Sequence, residues 1–322
     1  MGAAITAIEY HLPDRLLTNA DLAAEYPDWS VGKIEAKTGI KTRHIAGPDE
    51  TSLDLATKAG ELLFSRTPVK KTEIDFILLC TQSPDYFLPT SACILQDRLG
   101  LGRHVGALDF NLGCSGYVYG LSLAKGLIAS GAAKNVLLFT SETYSKFITP
   151  QDRSVRTLFG DAGAVTLLQA RSDIDDAIGP FVFGTDGRGY QNLIVRGGAM
   201  RDRTAPIDLY MNGTEIFTFT LREIPALVQA TLAKAKLTTD QIDLFVFHQA
   251  NAYMLDHLRK KMEIPKERFV MALETSGNTV SCTIPIALKQ SAETGLLRSG
   301  QTLMLVGFGV GYSWGAAIVR WV

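Results

Sequence analysis

Cysteine is scarce in this sequence: Cys80, Cys93, Cys114 and Cys282 are the four among 322 residues, far too few for a disulfide scaffold in a chain this long. Three of them lie inside apolar runs, so reduced thiols and a cytoplasmic location are expected. Net charge is nearly absent. Lys and Arg number 32 against 33 acidic residues, leaving −1. Without a basic face to neutralise phosphates, no nucleic-acid partner is expected. Long hydrophobic runs are missing too: none approaches the ~20 residues that span a bilayer, so no membrane partner is expected. The opening MGAAITAIEYHLP lacks the basic n-region and long apolar core of a signal peptide. Gly2 and Thr6 fit a myristoylation pattern, yet the same residues read equally well as an opening strand. No low-complexity linker divides the chain, which argues against tethered domains.

What the sequence does hold is apolar material, 46% of residues, enough for a large core. IDFILLC (74–80), KNVLLFTSE (134–142), QIDLFVF (241–247) and QTLMLVGFG (301–309) are compact apolar runs bounded by turn residues. Such runs suit strands buried on both faces. Between them lie segments such as SACILQDRLGL and IPIALKQSAETGLL, long enough for crossover helices, so the class is α/β. A weak internal repeat organises the pattern. TEIDFILLC resembles DQIDLFVFH, and LIASGAAKNVLLF resembles LLRSGQTLMLV, at nearly the same offset. The repeat predicts two intimately packed halves, residues 1–170 and 171–322, meeting near AVTLLQARSDIDDA.

One short stretch stands out chemically. In GALDFNLGCSGYVYGL, Cys114 follows a predicted strand and a turn, and a helix is expected to begin at the cysteine itself. Unpaired N–H groups at a helix start favour thiolate over thiol. Gly113 and Gly116 let backbone approach closely, as in a nucleophile elbow. A small hydrophobe packed at a turn fits the segment about as well. The second half offers partners. His248 ends a predicted strand in LFVFHQAN, a place where α/β proteins put active-site groups. Asn278 follows Gly277 at another strand-to-helix turn, where simple turn chemistry is the plainer reading. GFGVGYSWGAA is a glycine-rich turn that fails the dinucleotide fingerprint because Tyr312 holds the third glycine's place. It could instead aim a backbone N–H at an oxyanion.

Taken together, KTGIKTRHI (37–45), LPTSACILQDRLGL (88–101), DFNLGCSGYVYGL (109–121), TLFGDAGAV (157–165), HQAN (248–251), SGNT (276–279) and GFGVGYSWGAA (307–317) run in order over nearly the whole chain. This set resembles the β-ketoacyl-acyl carrier protein synthase III family of thiolase-like condensing enzymes. The resemblance implies a five-layer αβαβα fold of two duplicated halves, a homodimer, and a catalytic Cys, His and Asn, which here are Cys114, His248 and Asn278. It implies an oxyanion site at the N–H of Cys114 and the backbone near Val310, and substrate contacts from Lys37, Arg153, Asn251, Leu88 and Phe308. It also implies acyl-CoA or acyl-carrier phosphopantetheine thioesters as substrates, malonyl-acyl carrier protein as partner, and no metal or further cofactor. The basic end of a predicted helix, Arg259, Lys260 and Lys261, is where an acidic carrier protein could dock.

The sequence departs from that family at four places. Lys33 stands where a tryptophan is common, with Trp29 four residues earlier. Thr218 and Tyr253 stand where a lysine and an arginine are common. Leu88 replaces a larger aromatic, which points to a roomier acyl pocket. Cys282 is expected to be packing, and the glycine turn lacks the second reactive cysteine of a biosynthetic thiolase. Three other functions compete with the decarboxylative condensing enzyme. One is a relative that moves acyl groups to a non-malonyl acceptor, in a secondary or surface-glycan pathway. A papain-like protease also uses Cys, His and Asn in this order, but its cysteine signature is missing. A non-catalytic partner subunit is disfavoured by the presence of all three residues.

Overall fold

The computed structural model describes residues 2–174 and 176–322. The chain opens with β1 (Gly2–His11). A small hairpin, β2 (Arg15–Thr18) with β3 (Thr42–Ile45), brackets helices α1 (Asn19–Glu25) and α2 (Val31–Thr38). Then follow α3 (Ser52–Arg66), β4 (Phe76–Cys80), α4 (Ser91–Arg98), β5 (Gly106–Phe110), α5 (Gly116–Ala129), β6 (Asn135–Glu142), the short α6 (Arg153–Arg156) and β7 (Ala162–Arg171). The remainder holds β8 (Ile178–Thr185), a hairpin of β9 (Leu193–Val195) and β10 (Leu209–Met211), α7 (Gly213–Ala235), β11 (Leu244–Phe247), α8 (Ala252–Lys261), α9 (Thr283–Glu293), β12 (Thr302–Gly309) and β13 (Ser313–Arg320).

Two sheets carry the fold. The first has the order β1-β7-β6-β4-β5 and the second β8-β13-β12-β11. In the first, β4 is parallel to β5 and β6, while β7 is antiparallel to β6 and β1. The second repeats both order and directions: β11 is parallel to β12, and β13 is antiparallel to β12 and β8. Where a counterpart of β5 would lie, only a parallel bridge between Phe245 and Phe269 is formed.

The apolar runs are continuous because each sheet is covered on both faces. Leu78 of β4 and Leu138 of β6 face inward, packing with Tyr117, Val118 and Leu121 of α5 and Ile284 and Leu288 of α9. Their neighbours Ile77, Leu79, Leu137 and Phe139 face outward onto Leu53 and Leu63 of α3 and Leu95 of α4. In the second sheet, Val246 and Leu305 join the inner layer, while Phe245, Phe247 and Val306 pack outward on Phe219 of α7 and Leu255 of α8. The result is five layers: helices, sheet, the central α5 and α9, sheet, helices. Each such fully buried side chain contributes roughly 1.5–3 kcal/mol.

Two boundaries differ from the sequence reading. Helix α5 starts at Gly116 rather than at Cys114, with Ser115 as N-cap. That serine makes no side-chain capping bond; its Oγ lies 2.8 Å from Ser313 Oγ, and the first turn is closed by backbone instead, Gly116 N–H donating to Gly113 O at 2.8 Å and Val118 N–H to Ser115 O at 3.1 Å. The glycine-rich segment is also not wholly a turn. Gly307 and Gly309 belong to β12, and only residues 310–312 make the reversal into β13.

Candidate active site

Four polar groups lie at the carboxyl ends of strands, where open α/β sheets place their sites. Cys114 follows β5, Glu142 ends β6, His248 follows β11 and Val310 follows β12. Glycines in β12 bring the two halves together. An added Cβ at Gly307 would lie 2.8 Å from Ser115 Cα, and one at Gly309 would lie 2.8 Å from both Cβ and Sγ of Cys114. Only a strand without side chains there can pass the elbow. Gly309→Ala is therefore expected to displace the sulfur and slow its acylation about 10²-fold. Adduct formation followed by intact-protein mass spectrometry checks this; an unchanged rate would show that β12 does not fix the elbow.

The Cys114 sulfur is buried, and burial pushes its pKa up to about 12. The N–H groups of Val310 and of Cys114 itself pull in the opposite direction, and Glu142 adds to the upward push. The expected thiolate is thus corrected to a thiol, because loss of water outweighs the donors. The two donors that reach the sulfur are nonetheless the pair expected to form an oxyanion site. Alkylation of Cys114 is expected to rise about tenfold per unit from about pH 6 to about pH 9 without levelling off. Peptide mapping separates it from the exposed Cys93; a plateau near neutral pH would contradict the buried-thiol state.

His248 is held by its N–H to Val306 O at 2.8 Å, one strand spacing from Gly307, and its ring packs edge-on against Phe308. Burial lowers its pKa to about 3, opposed by the Val280 carbonyl, so the ring is a neutral imidazole. Asn278 pairs like a short strand with the neighbouring segment. Its N–H donates to Leu158 O at 2.9 Å, and its carbonyl accepts from Gly160 N–H at 3.0 Å. Gly277, at φ 70°, makes the reversal; a Cβ there would lie 2.9 Å from Leu158 O. Arg43 is fully buried behind this segment, donating to Thr157 O at 3.0 Å through Nε and to Asn19 Oδ1 through Nη1. The Asn278 side chain accepts from Val280 N–H at 2.9 Å through Oδ1, which leaves its NH2 group to donate elsewhere.

Comparison with known proteins decides what this arrangement belongs to. Residues 108–187 match the family model described as 3-oxoacyl-[acyl-carrier-protein (ACP)] synthase III, and residues 232–321 match the model of its C-terminal part. A β-ketoacyl-[acyl-carrier-protein] synthase III of Roseiflexus castenholzii is 37% identical over 326 residues, covering 99% of this chain and 98% of its own. The chain belongs to the synthase III family. A crystal structure of a 3-oxoacyl-(acyl-carrier-protein) synthase III superposes with a TM-score of 0.98 at 52% identity, over 100% of both chains. The 3-oxoacyl-(acyl-carrier protein) synthase of Burkholderia xenovorans gives 0.94 at 38%, over 100% of this chain and 94% of its own. The fold is accordingly thiolase-like, and the chain is a ketosynthase, an acyltransferase of fatty-acid synthesis.

Other residues expected to act in a synthase III are placed less uniformly. Asn251 is the N-cap of α8, its Oδ1 accepting Met254 N–H at 2.8 Å, which leaves its NH2 group as the part that could meet substrate. Phe308 is buried against His248 and Phe247. Lys37 and Lys33 both overlie the ring of Trp29, at 5.1 and 5.6 Å, and Arg153 lies 3.6 Å from the adjacent Asp28. These four residues form one cationic and aromatic surface, although Trp29 precedes the family's usual position. Leu88 is 81% exposed at a loop tip beside exposed Tyr86 and Phe87. The basic helix end is largely spoken for: Arg259 and Lys260 pair with Asp256, and Lys261 donates to Leu221 O. Tyr253 packs with Phe217 and His257 where the family has arginine.

The sequence reading missed Glu142. Burial pushes its pKa up to about 8, against donors from Gln82 N–H, Ser281 and Ser83. Its one signal was its place, the last residue of a buried strand, the same clue that singled out His248. Cys282 is buried, its thiol donating to Thr140 O at 3.1 Å, as a packing residue would. Among the described residues no cluster of side chains suits a metal ion, and no helix is long and apolar enough to cross a membrane.

Proposed function

We propose that this chain joins an acyl-thioester primer to malonyl-carrier protein by decarboxylative Claisen condensation, with Cys114 as nucleophile and His248 and Asn278 as hydrogen-bond donors. The observation that carries this reading is the close approach of β12 to the Cys114 elbow, with the His248 backbone bonded to the same strand. In the first step Cys114 Sγ attacks the primer's carbonyl while the N–H groups of Cys114 and Val310 hold the oxyanion. The C–S bond to the primer's carrier breaks, and the thiol proton of Cys114 ends on the departing thiolate. In the second step the bond between the malonyl carboxylate and its methylene breaks and CO2 leaves. The electron pair forms an enolate whose oxygen accepts hydrogen bonds from His248 and Asn278. Its carbon attacks the acyl-Cys114 carbonyl, Sγ leaves as a thiolate and takes one proton from solvent, and a 3-oxoacyl thioester results. The reaction needs no cofactor besides the two thioesters.

Several features support the finer reading. The Trp29, Lys33, Lys37 and Arg153 surface suits the nucleotide end of a CoA primer. Strand β5 is a sheet edge with Leu108 exposed, and the apolar tip at Tyr86, Phe87 and Leu88 stands beside it in the same half. Both suit a second copy of the chain, in which Leu88 shapes the partner's acyl pocket. The repeated strand order supports a division into halves 1–170 and 171–322. Carrier-protein docking would draw on Lys261, with Arg259 and Lys260 partly offset by Asp256. The test is a panel of acyl-CoA and acyl-carrier thioesters, each incubated with the protein and weighed intact. One acyl increment on the Cys114 peptide is expected and names the primer; acylation elsewhere, or none with any thioester, would overturn the reading.

A further inference from the structure

The turn from Asn278 to Thr283 does more than start α9. Val280, a β-branched residue, sits in the left-handed region at φ 56°, a conformation that costs free energy and persists only where surroundings enforce it. From there its N–H fills Asn278 Oδ1 at 2.9 Å, and its carbonyl points back to Thr283 Oγ1 at 3.1 Å. Thr283, the first residue of α9, is buried, and its Oγ1 also lies 2.8 Å from His248 Nδ1. One hydroxyl proton therefore has two acceptors in reach, and its choice fixes the ring. Given to Nδ1, it leaves the imidazole's single N–H on Nε2. Given to the Val280 carbonyl, it turns Oγ1 into an acceptor, moves the ring proton to Nδ1 and leaves Nε2 bare.

We propose that Thr283 is the positioning residue that sets the donor state of His248, its hydroxyl donating to Nδ1 so that Nε2–H faces the enolate. This rests on the reading of His248 as a donor given above. The contact to Nδ1 is the shorter of the two, and an imidazole lone pair is a stronger acceptor than an amide carbonyl. No other side chain among the described residues reaches Nδ1; the Val280 carbonyl also faces the ring and is the acceptor that competes with this arrangement. The two donors are thus tied to one turn: Val280 occupies the acceptor end of Asn278, and Thr283 occupies the acceptor end of His248. A bare Nε2 would instead set a lone pair against the developing negative oxygen.

Two measurements test the proposal. In 15N-histidine NMR of the full-length wild-type protein, the His248 signals are assigned by their loss in His248→Ala. Nε2 is expected to be the protonated nitrogen; a proton on Nδ1 would overturn the proposal without any variant having to fold. In kinetics, Thr283→Val is expected to lower the kcat of malonyl-carrier protein decarboxylation about 10²-fold, the loss of one oriented donor. The rate of Cys114 acylation should be unchanged, and Thr283→Ser should restore decarboxylation. If Val and Ser variants decarboxylate alike, or if Val loses acylation in the same proportion, the hydroxyl does not act through the ring. Should His248→Ala itself decarboxylate normally, the donor role of His248 fails, while the NMR result still judges the tautomer.

Discussion

Cys114→Ala is expected to abolish the acyl-enzyme and to lower condensation by about 10⁴-fold or more, the scale seen when a covalent nucleophile is removed. No substitute is at hand. Cys80 and Cys282 are buried and give their thiol hydrogens to backbone carbonyls, and Cys93 is exposed on α4, away from the elbow. The same variant should still release CO2 from malonyl-carrier protein, since that step uses His248 and Asn278 and not the sulfur. Intact mass and CO2 release, measured on one preparation, separate the two. A Cys114→Ala protein that still acquires an acyl group, or that condenses at the wild-type rate, would remove the sulfur from the mechanism.

The second large effect concerns the donors. His248→Ala and Asn278→Ala are each expected to reduce decarboxylation about 10²–10³-fold while leaving acylation of Cys114 nearly intact. Because both donors serve one oxygen, the double variant should lose far less than the product of the single losses. The pH dependence has a definite sign. With a folded pKa of about 3, His248 stays neutral across the working range, so decarboxylation should show no acid limb near the usual imidazole value of 6.5. Between those two values the unfolded chain binds the extra proton, so stability contributed at neutral pH falls as pH drops through that window. A decarboxylation profile that falls below about pH 6.5 in wild type but not in His248→Ala would contradict the neutral donor.

Much of this was legible from the residues. The apolar runs became β4, β6, β11 and β12, because strands buried on both faces leave a compositional mark that needs no partner to be read. His248 and Cys114 were legible through position, each following such a strand. What was not legible depends on contacts between segments remote in sequence. Nothing in FTSETYS says that Glu142 meets Ser281, and nothing in VSCTIP says that Thr283 meets the ring of His248. Asn251 is expected from its motif to contact substrate, and the structure adds a second task, the cap of α8, as Asn commonly is at a helix start. The thiolate expectation failed for a related reason. A helix start is visible in sequence, but the sealing of the sulfur by β12 is a tertiary fact, and its desolvation is the larger effect. By contrast, the pairing of Arg259 and Lys260 with Asp256, three and four residues earlier on the same helix, is local and open to a sequence reading that tracks helical spacing.

The most direct test is a single turnover. Cys114 is loaded from an acyl-CoA that it accepts, excess primer is removed, and malonyl-carrier protein labelled in its free carboxylate is added. Discharge of the adduct should proceed with one CO2 and one 3-oxoacyl-carrier thioester for each acyl group lost from Cys114. Discharge without CO2, or transfer of the acyl group intact to an amine or hydroxyl acceptor, would contradict the condensation and make the chain an acyltransferase of a different kind.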